Sequence, residues 1–131
     1  MFSAAQSAES KDTRSVAEAR ELVDRAYAAY QQFQNFTAEQ VDRILDAMAA
    51  AATANAEKLA RMAVEETGYG VVADKVQKNL FASQRVYQAA RAMKTVGIIR
   101  EDREQGIVEV AAPVGVVAAI LPSTNPTSTA I

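Results

Sequence analysis

Pro122-Ser-Thr-Asn-Pro-Thr-Ser-Thr129 gathers five hydroxyls and one carboxamide into eight residues, directly after an apolar run. Open α/β sheets bind ligands beyond the carboxyl end of such a run. Asn125 could present its amide N–H to an oxygen that gains negative charge during a reaction, with the hydroxyls and backbone around it lining a cofactor groove. A second reading uses the same atoms: Asn125 as a helix N-cap and Pro126 as the first helical residue. Both readings compete for one side chain. The chain contains no Cys and no His, the usual nucleophile and the usual near-neutral base, so a complete catalytic centre must recruit residues from elsewhere.

Other candidates have simpler explanations. Glu65-Glu66 and Glu101-Asp-Arg-Glu104 read as solvated faces and turn tips, Gly115 as a strand-entry glycine, and Thr67-Gly-Tyr-Gly70 as a helix stop. Tyr27, Tyr30 and Phe33 recur at helical spacing and are expected to pack in a core. No GxGxxG or GxxxxGK[ST] pattern occurs, so no phosphate-binding motif is available. Without Cys or His a transition-metal site is not expected either.

The chain has 131 residues, enough for one ordinary domain, and half of them are hydrophobic. Fourteen basic and sixteen acidic residues leave a formal charge of -2, which supplies no basic excess for nucleic acid or an anionic membrane. No stretch reaches the ~20 apolar residues of a membrane span, and the first residues do not read as a secretory signal, so a cytoplasmic location is expected.

The elements that must position Asn125 follow from local signals. Met1 to Arg14 is expected to be a flexible tail. A first helix is expected from the capping-box spacing Ser15-Val-Ala-Glu18 to Phe33, and a second from the box Thr37/Gln40, with Phe36 stapling onto Val41. Thr53 to Asn55 predicts a break, Gly68 and Gly70 a C-terminal stop, and Val72 to Lys94 a further helix burying Val76, Leu80, Ser83, Tyr87 and Ala90. Thus 15–94 is helical. Val96 to Val110 reads as a hairpin around a charged turn, Val114 to Leu121 as a strand buried on both faces of a parallel sheet, and 122–131 as a cofactor loop. No βαβ partner for that strand occurs within the chain, which therefore reads as an incomplete α/β domain.

Phe36-Thr-Ala-Glu-Gln-Val-Asp42, Met62-Ala-Val-Glu-Glu-Thr-Gly-Tyr-Gly70, Asp74-Lys-Val-Gln-Lys-Asn79, Phe81-Ala-Ser83 and above all Pro113-Val-Gly-Val116 with Pro122-Ser-Thr-Asn-Pro-Thr-Ser-Thr-Ala-Ile131 resemble the N-terminal part of the aldehyde dehydrogenase superfamily. The likeness covers about Tyr30 to Ile131 and is to the CoA-acylating branch, including acetaldehyde dehydrogenases and the aldehyde half of bifunctional aldehyde-alcohol dehydrogenases. Hydrolytic members typically carry an aromatic residue before the corresponding Asn, where this chain has Thr124. The resemblance implies that a Cys beyond Ile131 attacks the aldehyde, that NAD takes the hydride and that coenzyme A takes the acyl group. Asn125 then matches the donor to the thiohemiacetal oxyanion, and Ile120, Leu121, Pro122, Ser123, Thr124 and Asn125 match the wall of the NAD groove. No earlier residue carries over as catalytic. The hairpin suits an oligomerisation ribbon, implying a homo-oligomer of the complete enzyme, whereas Ser15 to Phe33 is expected to pack on its own domain rather than direct the protein into a shell. The alternatives are a self-contained helical interaction module, whose last strand docks on a partner sheet, and a hydrolytic or phosphate-reducing relative on the same fold.

Overall fold

The computed structural model describes the backbone from Ser3 to Ile131 and the side chains from Lys11 onward. Six α-helices, a π-helical turn and a two-stranded antiparallel sheet make up the described residues. They fall into two units, Met1–Phe36 with Pro113–Ala118, and Thr37–Ala112 with Ala119–Ile131.

In the first unit, α1 runs from Ser3 to Phe33. The expected tail up to Arg14 is therefore helical from Ser3, while Met1 and Phe2 lie outside the described residues. No Gly or Pro interrupts Ser3 to Phe33, and an Ala-, Glu- and Gln-rich stretch propagates a helix once one turn exists. Ser15 and Glu18 are thus interior, and Glu18 instead pairs with Arg14 at 2.9 Å. The aromatic stripe is not a buried core: Tyr27 is 57% exposed, although its ring lies 6.2 Å from that of Tyr30. Asn35 closes the helix by donating its amide to the Gln31 carbonyl.

The second unit opens as its local chemistry requires. Gln40 N–H donates to Thr37 Oγ1, and Thr37 N–H donates to Gln40 Oε1 at 2.8 Å, the reciprocal capping box at the start of α2, Ala38–Ala54. Asn55 interrupts the run, and α3 follows over Ala56–Thr67. Thr67 Oγ1 donates to the Ala63 carbonyl, and Gly68 ends the helix in the left-handed region at φ 69°.

Helix α4, Val72–Leu80, continues through the π-helical turn Phe81–Val86 into α5, Tyr87–Arg91, and stops short of the expected Lys94. Its fully buried stripe is Lys75, Asn79 and Ser83; of the expected stripe only Ser83 is fully buried, and Val76, Leu80, Tyr87 and Ala90 flank it, half-buried. The reason lies across the interface. Ala56, Ala60 and Ala63 are the buried face of α3, and residues this small leave the backbone of α3 within reach of polar side chains on α4. Asn79 Nδ2 donates to the Ala56 carbonyl at 2.9 Å, and Thr53 Oγ1 to Ser83 Oγ at 3.0 Å. No buried side-chain polar atom lacks a partner among the described residues. A hydrophobic pattern cannot register a stripe held by hydrogen bonds.

On the α2 side, Tyr87 Oη donates to Asp46 Oδ1 at 2.7 Å, and Arg91 reaches both Asp46 and Asp42. The Tyr87 hydrogen bond first, then that of Arg91, holds the Asp46 carboxyl below the ordinary carboxylate range, and the same bond to Asp46 pushes the Tyr87 phenol up.

Strands β1, Gly97–Asp102, and β2, Ile107–Ala111, form the expected hairpin, with a register irregularity between Ile98 and Arg100. Arg100 bridges Asp102 and Glu109, and the Gln105 N–H donates to Asp102 Oδ1 in the turn. Val114 to Leu121, in contrast, forms neither a strand nor a buried segment: Val114 is 93% exposed and Ile120 97%. A strand exists only through ladder bonds to a neighbour, and none of the described strands lies beside this run.

Gly70 yields a prediction about this frame. It has φ +80°, and a Cβ there would lie 3.3 Å from Cε of Lys75, whereas one on Gly68 would meet nothing within 4 Å. Gly68→Ala is expected to cost only the left-handed backbone penalty, about 1 kcal/mol, with Gly70→Ala costing measurably more because Lys75 is buried and anchored. Parallel urea unfolding of the two variants checks this; equal losses would remove the steric part of the argument.

Candidate functional site

The polar loop is tied to α4 by three side chains within two helical turns. Lys75 Nζ donates to the Thr124 carbonyl at 2.7 Å, Lys78 Nζ donates to Asn125 Oδ1 at 2.9 Å, and Asn79 Oδ1 accepts from Thr127 Oγ1 at 2.9 Å. Lys75 and Asn79 are four apart and face inward, with exposures of 5% and 0%; Lys78 sits at their rim, exposed. Burial of the Lys75 ammonium costs free energy that its carbonyl partner offsets, so Thr124 is held where its oxygen meets that charge.

Asn125 resolves its two sequence readings in a specific way. Its backbone is the N-cap of α6, Pro126–Ala130, with Pro126 at the first helical position and Thr129 N–H donating to its carbonyl. Its side chain makes no capping bond. Oδ1 is taken by Lys78, and Nδ2 makes only a long 3.4 Å contact with Thr124 Oγ1. The carboxamide is half-buried, anchored by its oxygen, and keeps donor capacity at its nitrogen.

Residues Ile120 to Thr124 lead into this point. Ile120, Leu121, Pro122, Ser123 and Thr124 are exposed, and among their backbone groups the Pro122 carbonyl accepts from Asn125 N–H at 3.3 Å in a turn. The segment thus offers an apolar edge, two hydroxyls and backbone polar groups not taken up by a ladder. An apolar cleft of about 450 Å³, lined by Leu45, Met48, Leu59, Val86, Tyr87 and Ile131 among others, reaches Thr127 of the loop but includes none of Ser123, Thr124 or Asn125.

Sequence reasoning assigned no role to Lys75, Lys78 or Asn79. Their signal was present in Asp74-Lys-Val-Gln-Lys-Asn79, two cations and an amide on adjacent turns, but nothing local connects it to a loop almost fifty residues away.

A model of the aldehyde dehydrogenase family matches residues 5–131. The chain belongs to the aldehyde dehydrogenase family. Within the family its likeness is to the acylating members and to the bifunctional aldehyde-alcohol dehydrogenases. It is 48% identical over 116 residues to the bifunctional aldehyde-alcohol dehydrogenase AdhE of Escherichia coli (strain K12), covering 88% of this chain and 13% of that protein. It is 43% identical over 110 residues to the acetylating succinate-semialdehyde dehydrogenase of Clostridium kluyveri, covering 84% of this chain and 24% of that one. The crystal structure of an acetylating aldehyde dehydrogenase from Geobacillus thermoglucosidasius superposes with a TM-score of 0.87 at 51% identity, over 90% of this chain and 26% of that chain. This aldehyde dehydrogenase chain therefore spans about a quarter or less of the relatives it matches. Its helices and hairpin match one part of an aldehyde dehydrogenase structure.

Proposed function

We propose that this chain forms one wall of the cofactor and oxyanion site of an NAD-dependent, CoA-acylating aldehyde dehydrogenase, which converts a short aldehyde such as acetaldehyde, with CoA and NAD, to acyl-CoA and NADH. The observation that carries the reading is the state of Asn125: its side chain is withheld from capping α6 and anchored through Oδ1, which leaves Nδ2 as a donor. In acyl transfer through a thiol, negative charge develops on the former aldehyde oxygen, and a fixed N–H aimed at that oxygen lowers the barrier. The chain has no Cys, so the attacking thiolate belongs to a part of the enzyme outside these residues.

Ile120, Leu121, Pro122, Ser123 and Thr124 would hold NAD through their apolar edge and free backbone groups, and bound NAD supplies the hydride acceptor. Lys75 fixes the Thr124 carbonyl, and Asn79 fixes the Thr127 hydroxyl, so both ends of the Asn125 turn are held. Such preorganisation removes the reorganisation that a mobile donor would need in the transition state. The hairpin supports self-association of the complete enzyme, since its aliphatic side chains Ile98, Ile107, Val108 and Val110 are exposed and a lone two-stranded sheet is marginal in water.

The complete enzyme, incubated with acetaldehyde and NAD, is expected to form NADH and acetyl-CoA only when CoA is added, followed by absorbance at the NADH band and by mass spectrometry of the thioester. NADH formation without CoA, yielding acetate, would assign the site to hydrolytic chemistry, and dependence on inorganic phosphate to an acyl-phosphate product.

A further inference from the structure

We infer that Lys78 is the positioning residue for Asn125, setting which end of the carboxamide faces the reacting oxygen; the inference rests on the oxyanion role proposed for Asn125. A carboxamide is nearly symmetric in shape, and a half-turn about its last bond exchanges oxygen for nitrogen. The two orientations have opposite chemical consequences, because Nδ2–H stabilises an oxyanion and Oδ1 repels it. The choice needs a group that tolerates only one of them. An ammonium donates three N–H bonds and accepts none, so the atom 2.9 Å from Lys78 Nζ is held as Oδ1. Nδ2 is then directed elsewhere, and its 3.4 Å contact with Thr124 Oγ1 is too long to satisfy both of its hydrogens.

Two features make Lys78 suited to this role. The ion pairs among the described residues are all formed by arginines, so no carboxylate competes for the Lys78 ammonium there. Its helix is also tied to the loop on both sides of it, by Lys75 to the Thr124 carbonyl and by Asn79 to the Thr127 hydroxyl, so both flanks of Asn125 are fixed to the helix that carries the donor. A charge-assisted bond to Oδ1 also draws electron density from the amide nitrogen, which makes Nδ2–H a better donor.

The test is kinetic and spectroscopic, on the complete enzyme. Lys78→Met keeps the aliphatic stem and removes the donor; kcat for acyl-CoA formation is expected to fall roughly tenfold, the rate equivalent of one hydrogen bond to a charged group, while KM for NAD stays the same. Lys78→Arg, which retains donors, is expected to recover most of the rate. In an Asn125→Ala background, Lys78→Met should cause no further loss, an outcome that a general structural role for Lys78 would not produce. An unchanged kcat in Lys78→Met, or an equal loss in both backgrounds, would overturn the assignment. Selective 15N-asparagine labelling gives a readout that does not depend on activity: the Asn125 side-chain amide pair should shift in Lys78→Met and stay near its original place in Lys78→Arg. If the enzyme made no acyl-CoA, the acylating reading would fall, and an unmoved amide pair would separately remove Lys78 as its anchor.

Discussion

Asn125→Ala in the complete enzyme is expected to lower kcat by about a hundredfold or more, the effect of losing one oxyanion donor, with NAD binding nearly unchanged. Folding is the obvious confounder at a helix start, and the geometry limits it. An asparagine that caps its helix by side chain contributes roughly 1 kcal/mol, which alanine would lose. Here that side chain bonds Lys78 and leaves the α6 N–H groups alone, so the variant should unfold at close to the wild-type urea concentration. Asn125→Asp sharpens the test. It keeps the size and the bond to Lys78, but places a second carboxylate oxygen where Nδ2 stood, and should be at least as slow as alanine. Steady-state kinetics with separate titration of NAD binding reads both variants. A wild-type rate in Asn125→Ala would return the residue to a backbone cap and leave the site without its donor.

Asn79→Ala should be the most damaging single change to the frame behind that loop, lowering unfolding free energy by about 2–4 kcal/mol, a large share of the margin of an ordinary domain. Asn79 is completely buried and uses both ends of its amide, donating to the Ala56 carbonyl and accepting from Thr127 Oγ1. Alanine would leave the Thr127 hydroxyl without that acceptor and a gap between α3 and α4. Asn79→Asp offers a control for shape: it preserves volume and the bond from Thr127, yet turns a carboxylate oxygen toward the Ala56 carbonyl. It is expected to be destabilised as well. Urea denaturation of the two variants measures this, and a loss under about 0.5 kcal/mol for Asn79→Ala would show that the α3–α4 contact rests on the alanine face instead. Because Thr127 lies two residues from Asn125, kcat of the folded enzyme is expected to fall in the same variant.

Local chemistry made much of the frame legible. The reciprocal bonds of Thr37 and Gln40, the break at Asn55, the left-handed Gly68 and Gly70, and the hairpin around Arg103 each depend on atoms only a few residues apart, and side-chain type is enough to specify them. The same holds for Asn125 followed by Pro126 at the start of α6. The first helix starts at Ser3 and not at the capping-box spacing of Ser15, because helix propagation needs no signal beyond the absence of Gly and Pro. The run from Val114 to Leu121 carries the composition of a buried strand, yet composition cannot supply the neighbours that turn an apolar segment into one.

Whether the Asn125 side chain caps its helix was beyond local rules altogether. A capping and a non-capping side chain look identical from the loop itself, and what takes up Oδ1 here is Lys78, 47 residues earlier. Lys78 reaches the amide because Lys75 and Asn79 on the same helix hold Thr124 and Thr127 on either side of Asn125, while Ala56, Ala60 and Ala63 let α4 lie close against α3. Residue types thus settled what each segment can form and which loop could carry chemistry. Packing settled the rest, since a hydrogen bond across forty-seven residues depends on the distance between two helices.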